Sequence, residues 1–175
     1  RSPGKLEAEE LARRKAEVYQ KRYEGLRSGI KIQAKFINAE SAEDLGGATF
    51  AFVCVDKGSS RAGIFELLIN LNIPFIDVGM GLNRDSGPIN GMIRASFYDR
   101  EKAKDVLAKR LSPVTDAPDD VYQNNIQISE LNALNACVAV IKYKQLRGFY
   151  VDDNAYYHML LSLNDFHLAG QSNEE

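Results

Sequence analysis

Asp56 stands where an apolar run stops. Residues 48–55 read ATFAFVCV, and the next side chain is a carboxylate. Arg61 follows five positions later, giving Asp-x-x-x-x-Arg at the opening of an amphipathic helix, and a second apolar run, residues 74–78, comes after it. A buried strand that delivers a carboxylate at its carboxyl end is how parallel α/β sheets build ligand sites, because the crevice lies beyond the strand ends. Such a carboxylate can hold a hydrated cation. Plainer uses stand beside this one: Asp56 can close an Asx turn onto the following backbone, and Arg61 can pair with a nearby carboxylate instead of a phosphate. Asp77, inside the second apolar run, must find donors or lose its charge, and supporting a neighbouring group is its expected use.

The elements that would position these residues are legible in the periodicity. Residues 4–28 place Ala8, Leu11, Tyr19 and Leu26 near one face and Glu7, Glu10, Glu17 and Glu24 elsewhere, a charged helix that Gly29 ends. Lys15 interrupts the inward stripe, four residues from Leu11 and four from Tyr19, as a snorkelling side chain does. Residues 30–37 alternate through Ile30, Ile32, Ala34 and Phe36 and predict a strand; residues 38–47 are a polar connection. Ser59 or Ser60 caps the next helix, whose inner stripe is Ile64, Leu67, Leu68 and Leu71. Residues 89–98 predict a strand running the other way. Residues 99–111 predict a short helix capped by Asp99, and residues 112–120, with Pro113 and Pro118, a loop. Residues 126–147 predict a central helix capped by Ser129. Its ALNACVAVI core is apolar nearly all round, which predicts burial on most sides. Lys142, Lys144 and Arg147 complement its dipole, and Gly148 ends it. Residues 156–166 predict one more strand, and the tail from Gly170 reads as polar and frayed. Strands alternating with helices over short links give an α/β sheet with right-handed crossovers.

Composition narrows the classes. The chain has 175 residues, 45% hydrophobic and 26% charged, with a formal net charge of -2, the usage of an ordinary soluble globular domain. Acidic and basic residues interleave, so neither nucleic acid nor an anionic membrane is an expected partner. No apolar run approaches the roughly 18 residues that span a bilayer, and no signal peptide is visible, which predicts a cytoplasmic protein. Cys54 and Cys137 both sit inside apolar segments and read as reduced, buried thiols, with no CxxC pair for metal. His158 and His167 are isolated and read as surface or packing residues.

Three stretches, in this order, resemble the ThiF/MoeB/HesA adenylyltransferases related to ubiquitin-activating enzymes: Asp56 to Arg61, IPFIDVGMG (residues 73–81) with NGMIR (residues 90–94), and NIQISELNALNACVAVIKYKQLRGFY (residues 125–150). The last is similar to the long central helix of bacterial members found beside ubiquitin-like proteins. The resemblance covers about residues 1–165. It implies a Rossmann-like, mostly parallel sheet flanked by helices, with antiparallel strands toward the C-terminus, in one domain over residues 1–168 and a polar tail over 169–175. The chain opens on RSPG without Met and lacks the glycine-rich turn and ribose-binding acid of the family. It therefore reads as the C-terminal portion of that domain, inactive alone.

The implied chemistry is ATP-dependent adenylation of the C-terminal carboxylate of a ubiquitin-like protein, with release of pyrophosphate. The resemblance implies ATP and Mg²⁺ as cofactors, with Asp56 as the magnesium carboxylate. Arg1 closes an Asn-x-x-Arg motif, and Lys15 contacts ATP, with Arg14 its rival one residue away; Arg61 completes the nucleotide-binding set. A homo- or heterodimer is implied as well. Some relatives transfer the acyl group to their own cysteine, a role for which Cys54 and Cys137 look too buried. Two other functions stay open: a non-catalytic subunit that completes a partner's site, and a nicotinamide-dependent dehydrogenase, for which no hydride-transfer acid is visible.

Overall fold

A computed structural model describes residues 7–83, 87–99 and 128–172. The chain divides into two units, Arg1–Ile37 and Asn38–Glu175.

In the first unit a 3-10 turn, Ala8–Glu10, precedes helix α1, Lys15–Glu24. The single helix expected over residues 4–28 is therefore broken. Arg14 is extended (φ -67°, ψ 142°), and the Glu17 carboxylate accepts its backbone N–H at 3.4 Å, starting a new helix there. Arg22 reaches back to Glu10 across the break with two hydrogen bonds, 3.1 Å and 2.5 Å. Gly25 caps α1, so Gly29, at φ +82°, lies beyond its end. Residues 30–37 form no strand. Their side chains alternate in exposure through residue 35, yet Phe36 is 93% exposed, and no ladder partner exists among the described residues. Alternation marks two faces; only a neighbouring strand turns it into a sheet.

The second unit is α/β, built on one five-stranded mixed sheet in the order β1-β2-β3-β4-β5. The strands are β1, Ala51–Val53; β2, Phe75–Asn83; β3, Asn90–Tyr98; β4, His158–Ser162; and β5, Leu168–Gln171. β1 and β2 pair in parallel, and every other pair is antiparallel. The expectation of a mostly parallel sheet is thus corrected, whereas the antiparallel C-terminal strands are as expected. A parallel pair needs a crossover, and helix α2, Gly58–Asn70, supplies one between β1 and β2. β2 and β3 are instead linked by a short connection that includes Gly87 at φ +110°. Gly91, at φ +142°, sits so close to β2 that a β-carbon would fall 2.1 Å from the Gly81 carbonyl oxygen.

Successive residues of β2 feed opposite faces. Phe75 packs with Phe65 of α2, Tyr98 and Val53, the three rings lying 4.6–4.9 Å apart by centroids. Ile76 packs on the other face with Ala95, Met159 and Ala139. Ala139 belongs to helix α3, Ser129–Leu146. α2 begins at Gly58 with Lys57 as its N-cap, and α3 begins at Ser129 with Ile128 as its N-cap; neither has a side-chain cap, so the expected serine caps do not form. The buried stripe of α2 contains Phe65, Leu67 and Leu68, while Leu71 lies past its end and is exposed.

α3 is buried on one side only. Asn135, Ala139 and Lys142 face inward, and Val140, Ile141 and Leu146 are exposed. Lys142 does not serve the helix dipole: it is buried and pairs with Asp152 at 2.6 Å. Gly148, at φ +70°, closes the helix as expected, its N–H donating to Gln145 O at 2.8 Å and that of Phe149 to Lys144 O at 2.8 Å.

The expected strand over residues 156–166 is β4, shorter by two residues at its start and four at its end. The tail expected to fray from Gly170 overlaps the end of β5, where Gly170 lies against the Tyr156 ring so closely that a β-carbon would fall 2.2 Å from it. The helix expected over residues 99–111 (beyond Asp99), the loop over residues 112–120 and Arg1 lie outside the described residues.

Candidate functional site

A cavity of about 390 Å³ opens past the carboxyl end of β1 and beside the middle of β2. The chain past β1 contributes Cys54, Val55 and Asp56; β2 contributes Val78, Gly79 and Met80; α3 contributes Asn132, Asn135, Ala136, Ala139 and Val140. Phe52 and Arg61 complete the wall. Its size suits a small molecule or a short chain end, and its walls are mostly apolar with a few polar groups, as ligand sites are built.

Asp56 lies three residues past the end of β1, exposed, with no hydrogen bond or ion pair among the described residues. No Asx turn engages its carboxylate, so it is open to the cavity mouth. Arg61 is a different kind of residue. It is 4% exposed, and its Nε donates to Asp77 Oδ1 at 2.9 Å while its Nη2 donates to the Val55 carbonyl at 2.6 Å.

Asp77 is fully buried, the third residue of β2, opposite Val53 on one side and Ser96 on the other. Its second oxygen accepts from Arg94 Nη2 at 2.6 Å. The expectation that Asp77 must find donors is met by two guanidiniums. Arg94 Nη1 also donates to Ser96 Oγ at 2.9 Å, and Ser96 Oγ lies 2.8 Å from His158 Nδ1. Ser96 Oγ accepts from Arg94, and which partner donates in its bond to His158 Nδ1 depends on the imidazole tautomer. Burial, and then the charge of Arg94, push the His158 pKa down to about 4, so the ring is neutral at pH 7. Gly79 leaves room for this network, because a β-carbon there would meet Arg94 Nη2 at 2.6 Å.

Of the residues singled out above, the structure brings Asp56 and Arg61 to one cavity. Arg14 and Lys15 belong to the first unit. Arg14 is the N-cap of α1 and donates from Nη1 to Ala34 O at 2.5 Å; Lys15 is the first helical residue, exposed, with no hydrogen bond or ion pair among the described residues. Cys54 and Cys137 are both exposed, contrary to the buried thiols expected, and Cys54 lines the cavity. β1 ends at Val53, so Cys54 already leaves the sheet, and Cys137 lies off the inward stripe of α3. His158 is a packing residue and His167 a surface one, as expected.

Two residues of the site gave no signal strong enough to be singled out. Asn135 is 6% exposed; its Nδ2 donates to Gly79 O at 3.0 Å, and its Oδ1 has no hydrogen-bond partner among the described residues. Asn132 and Asn135, three apart in a mostly apolar stretch of the helix, were the available clue, since a polar side chain on a buried stripe has to be used by something. Arg94 could be suspected only once β2 and β3 were paired.

Among the described residues there is no group of three or more His, Cys, Asp or Glu side chains that could hold a metal by themselves. Magnesium needs less: it keeps several waters and is commonly held by one or two carboxylates together with substrate phosphates, a donor set that an exposed Asp56 fits. No family model matches the chain, and no curated protein matches it.

Proposed function

We propose that the protein is an ATP-dependent adenylating enzyme acting on the C-terminal carboxylate of a ubiquitin-like protein, on a Rossmann-like nucleotide fold. The observation that carries this reading is an exposed Asp56, unengaged among the described residues, lining a cavity past the carboxyl end of β1, a strand paired in parallel with β2. In the reaction, a carboxylate oxygen attacks the α-phosphorus of ATP, the bond to the bridging oxygen breaks, and pyrophosphate leaves. Both reactants are anionic, so the barrier is largely electrostatic and is lowered by fixed charge placed where negative charge develops. Mg²⁺, when bound, neutralises phosphate charge, and Asp56 is the protein ligand for it. Lys15 takes the ATP-contacting role in this reading in preference to Arg14, whose guanidinium holds Ala34 O; Arg1 is the second cation.

The test is exchange of labelled pyrophosphate into ATP by the full-length protein with ubiquitin-like partners. Asp56→Ala should lower exchange by ~100-fold or more, the effect of about 3 kcal/mol lost from a preorganised site, with an unchanged melting temperature because Asp56 is exposed. Near-normal exchange by that variant removes Asp56 from the mechanism. Partner binding by a wild-type protein that catalyses no exchange would favour the scaffold reading instead.

A further inference from the structure

Arg61 holds the backbone just before Asp56 with its side chain. Its side-chain Nη2 donates to the carbonyl of Val55, the residue before, at 2.6 Å. Its backbone N–H donates to the Lys57 carbonyl at 3.1 Å, the first turn bond of α2, which does not depend on the side chain. β1 has ended at Val53, so no ladder bond to β2 orients the backbone here, and Arg61 supplies the constraint instead. The guanidinium is fixed in turn: Nε is on Asp77 Oδ1, Asp77 Oδ2 is on Arg94 Nη2, and Arg94 Nη1 is on Ser96 Oγ. All four side chains of this relay are buried.

We infer that Arg61 is a positioning residue, not a phosphate ligand. In this assignment the five-residue spacing of Asp-x-x-x-x-Arg exists so that the side chain of one arginine on the first turn of α2 can strap the peptide group that precedes the aspartate. Asp77 and Arg94 transmit the rigidity of the central strands to that strap. The carboxylate of Asp56 is thereby aimed without being touched, and it stays free for a metal–nucleotide ligand. A lysine at position 61 cannot reproduce this, because a single ammonium lacks the planar fork that reaches an aspartate and a carbonyl in two directions. This inference rests on the adenylation reading, in that it takes Asp56 as the metal carboxylate.

The experiment measures binding, not turnover, in the full-length protein. The probes are a non-hydrolysable methylene analogue of ATP and Mn²⁺, the latter followed by electron paramagnetic resonance in the presence of saturating analogue. For Arg61→Lys the structure predicts Mn²⁺ affinity lowered about tenfold and metal-free analogue affinity unchanged within about twofold, a split that general loosening of the fold would not produce. Asp77→Asn, acting one step further back, should shift Mn²⁺ affinity in the same direction. Loss of metal-free analogue affinity in Arg61→Lys would show a direct phosphate contact and overturn the assignment, as would unchanged Mn²⁺ affinity. Should both variants fail to fold, a structure of the wild-type protein with the analogue decides: Arg61 still on Val55 O and Asp77 upholds the strap, and a phosphate oxygen within hydrogen-bond distance of Arg61 refutes it. A wild-type protein that binds neither probe refutes the adenylation reading and the strap with it. Normal wild-type binding with an unaltered Arg61→Lys refutes the strap alone.

Discussion

Asp56 and Asp77 show how the same side chain serves opposite ends. Asp56 is exposed and unengaged among the described residues, which costs little in stability and leaves its charge available. Asp77 is wholly buried, and a buried carboxylate is tolerable only when paired and hydrogen-bonded, which Arg61 and Arg94 ensure. His158 sits at the far end of the same network, and its titration makes a prediction. Its folded pKa, about 4, lies below the value near 6.5 of an unfolded chain, so the unfolded state binds more protons between those limits. Stability should therefore be full above pH 6.5 and fall as the pH drops toward 4, by as much as ~3 kcal/mol from this group. Denaturant titrations at pH 7 and pH 4.5 measure the difference. His158→Gln, which cannot take up a proton, should flatten that part of the profile even if it lowers stability at pH 7.

Helices and strands behave as packing units with sides of unequal importance. α3 buries Ala139 against Ile76, Ala95 and Met159, while its neighbour Ile141 is exposed. Ala139→Leu should overfill that contact and cost about 1–3 kcal/mol. Ile141→Gln should stay within about 0.5 kcal/mol of wild type, the usual range for a surface change. Urea unfolding of the two variants checks both numbers, and equal losses would show that α3 is covered on its outer side. The helix itself was readable in advance, from its apolar density and from Gly148. Which of its sides is buried was not, because an all-round apolar helix carries no moment to orient it. β5 was missed for a related reason. Its four residues, LAGQ, lack alternation, and it exists because β4 offers a free edge and Gly170 lets Tyr156 lie against it.

The relay through Asp77 joins the segment past β1 to α2, β2 and β3, so its loss should be felt by the whole unit and not by one element. Asp77→Asn removes the only charge between two buried guanidiniums in this relay and should cost about 3–5 kcal/mol, as breaking a buried ion pair does. A urea midpoint lowered with an unchanged slope would confirm that the transition stays cooperative. A loss under 1 kcal/mol would mean that the charge is balanced elsewhere. No helix among the described residues is long and apolar enough to cross a membrane.

Local patterning was enough to locate β1, α2, β2, β3, α3 and β4, and to put a carboxylate just past a strand end, because strand and helix periodicities and glycine stops are written over a few adjacent residues. It was also enough to say that Asp77 needs donors, since burying a charge has a cost wherever it happens. The choice of those donors needed the folded chain. Asp77 meets Arg61 across 16 residues and Arg94 across 17, and Ser96 meets His158 across 62. Such pairings depend on which strands become neighbours and in what register, and periodicity encodes only the faces a segment has. The same limit explains the rest: alternation in residues 30–37 without a partner made no strand, and two cysteines in apolar runs ended on outward-facing positions.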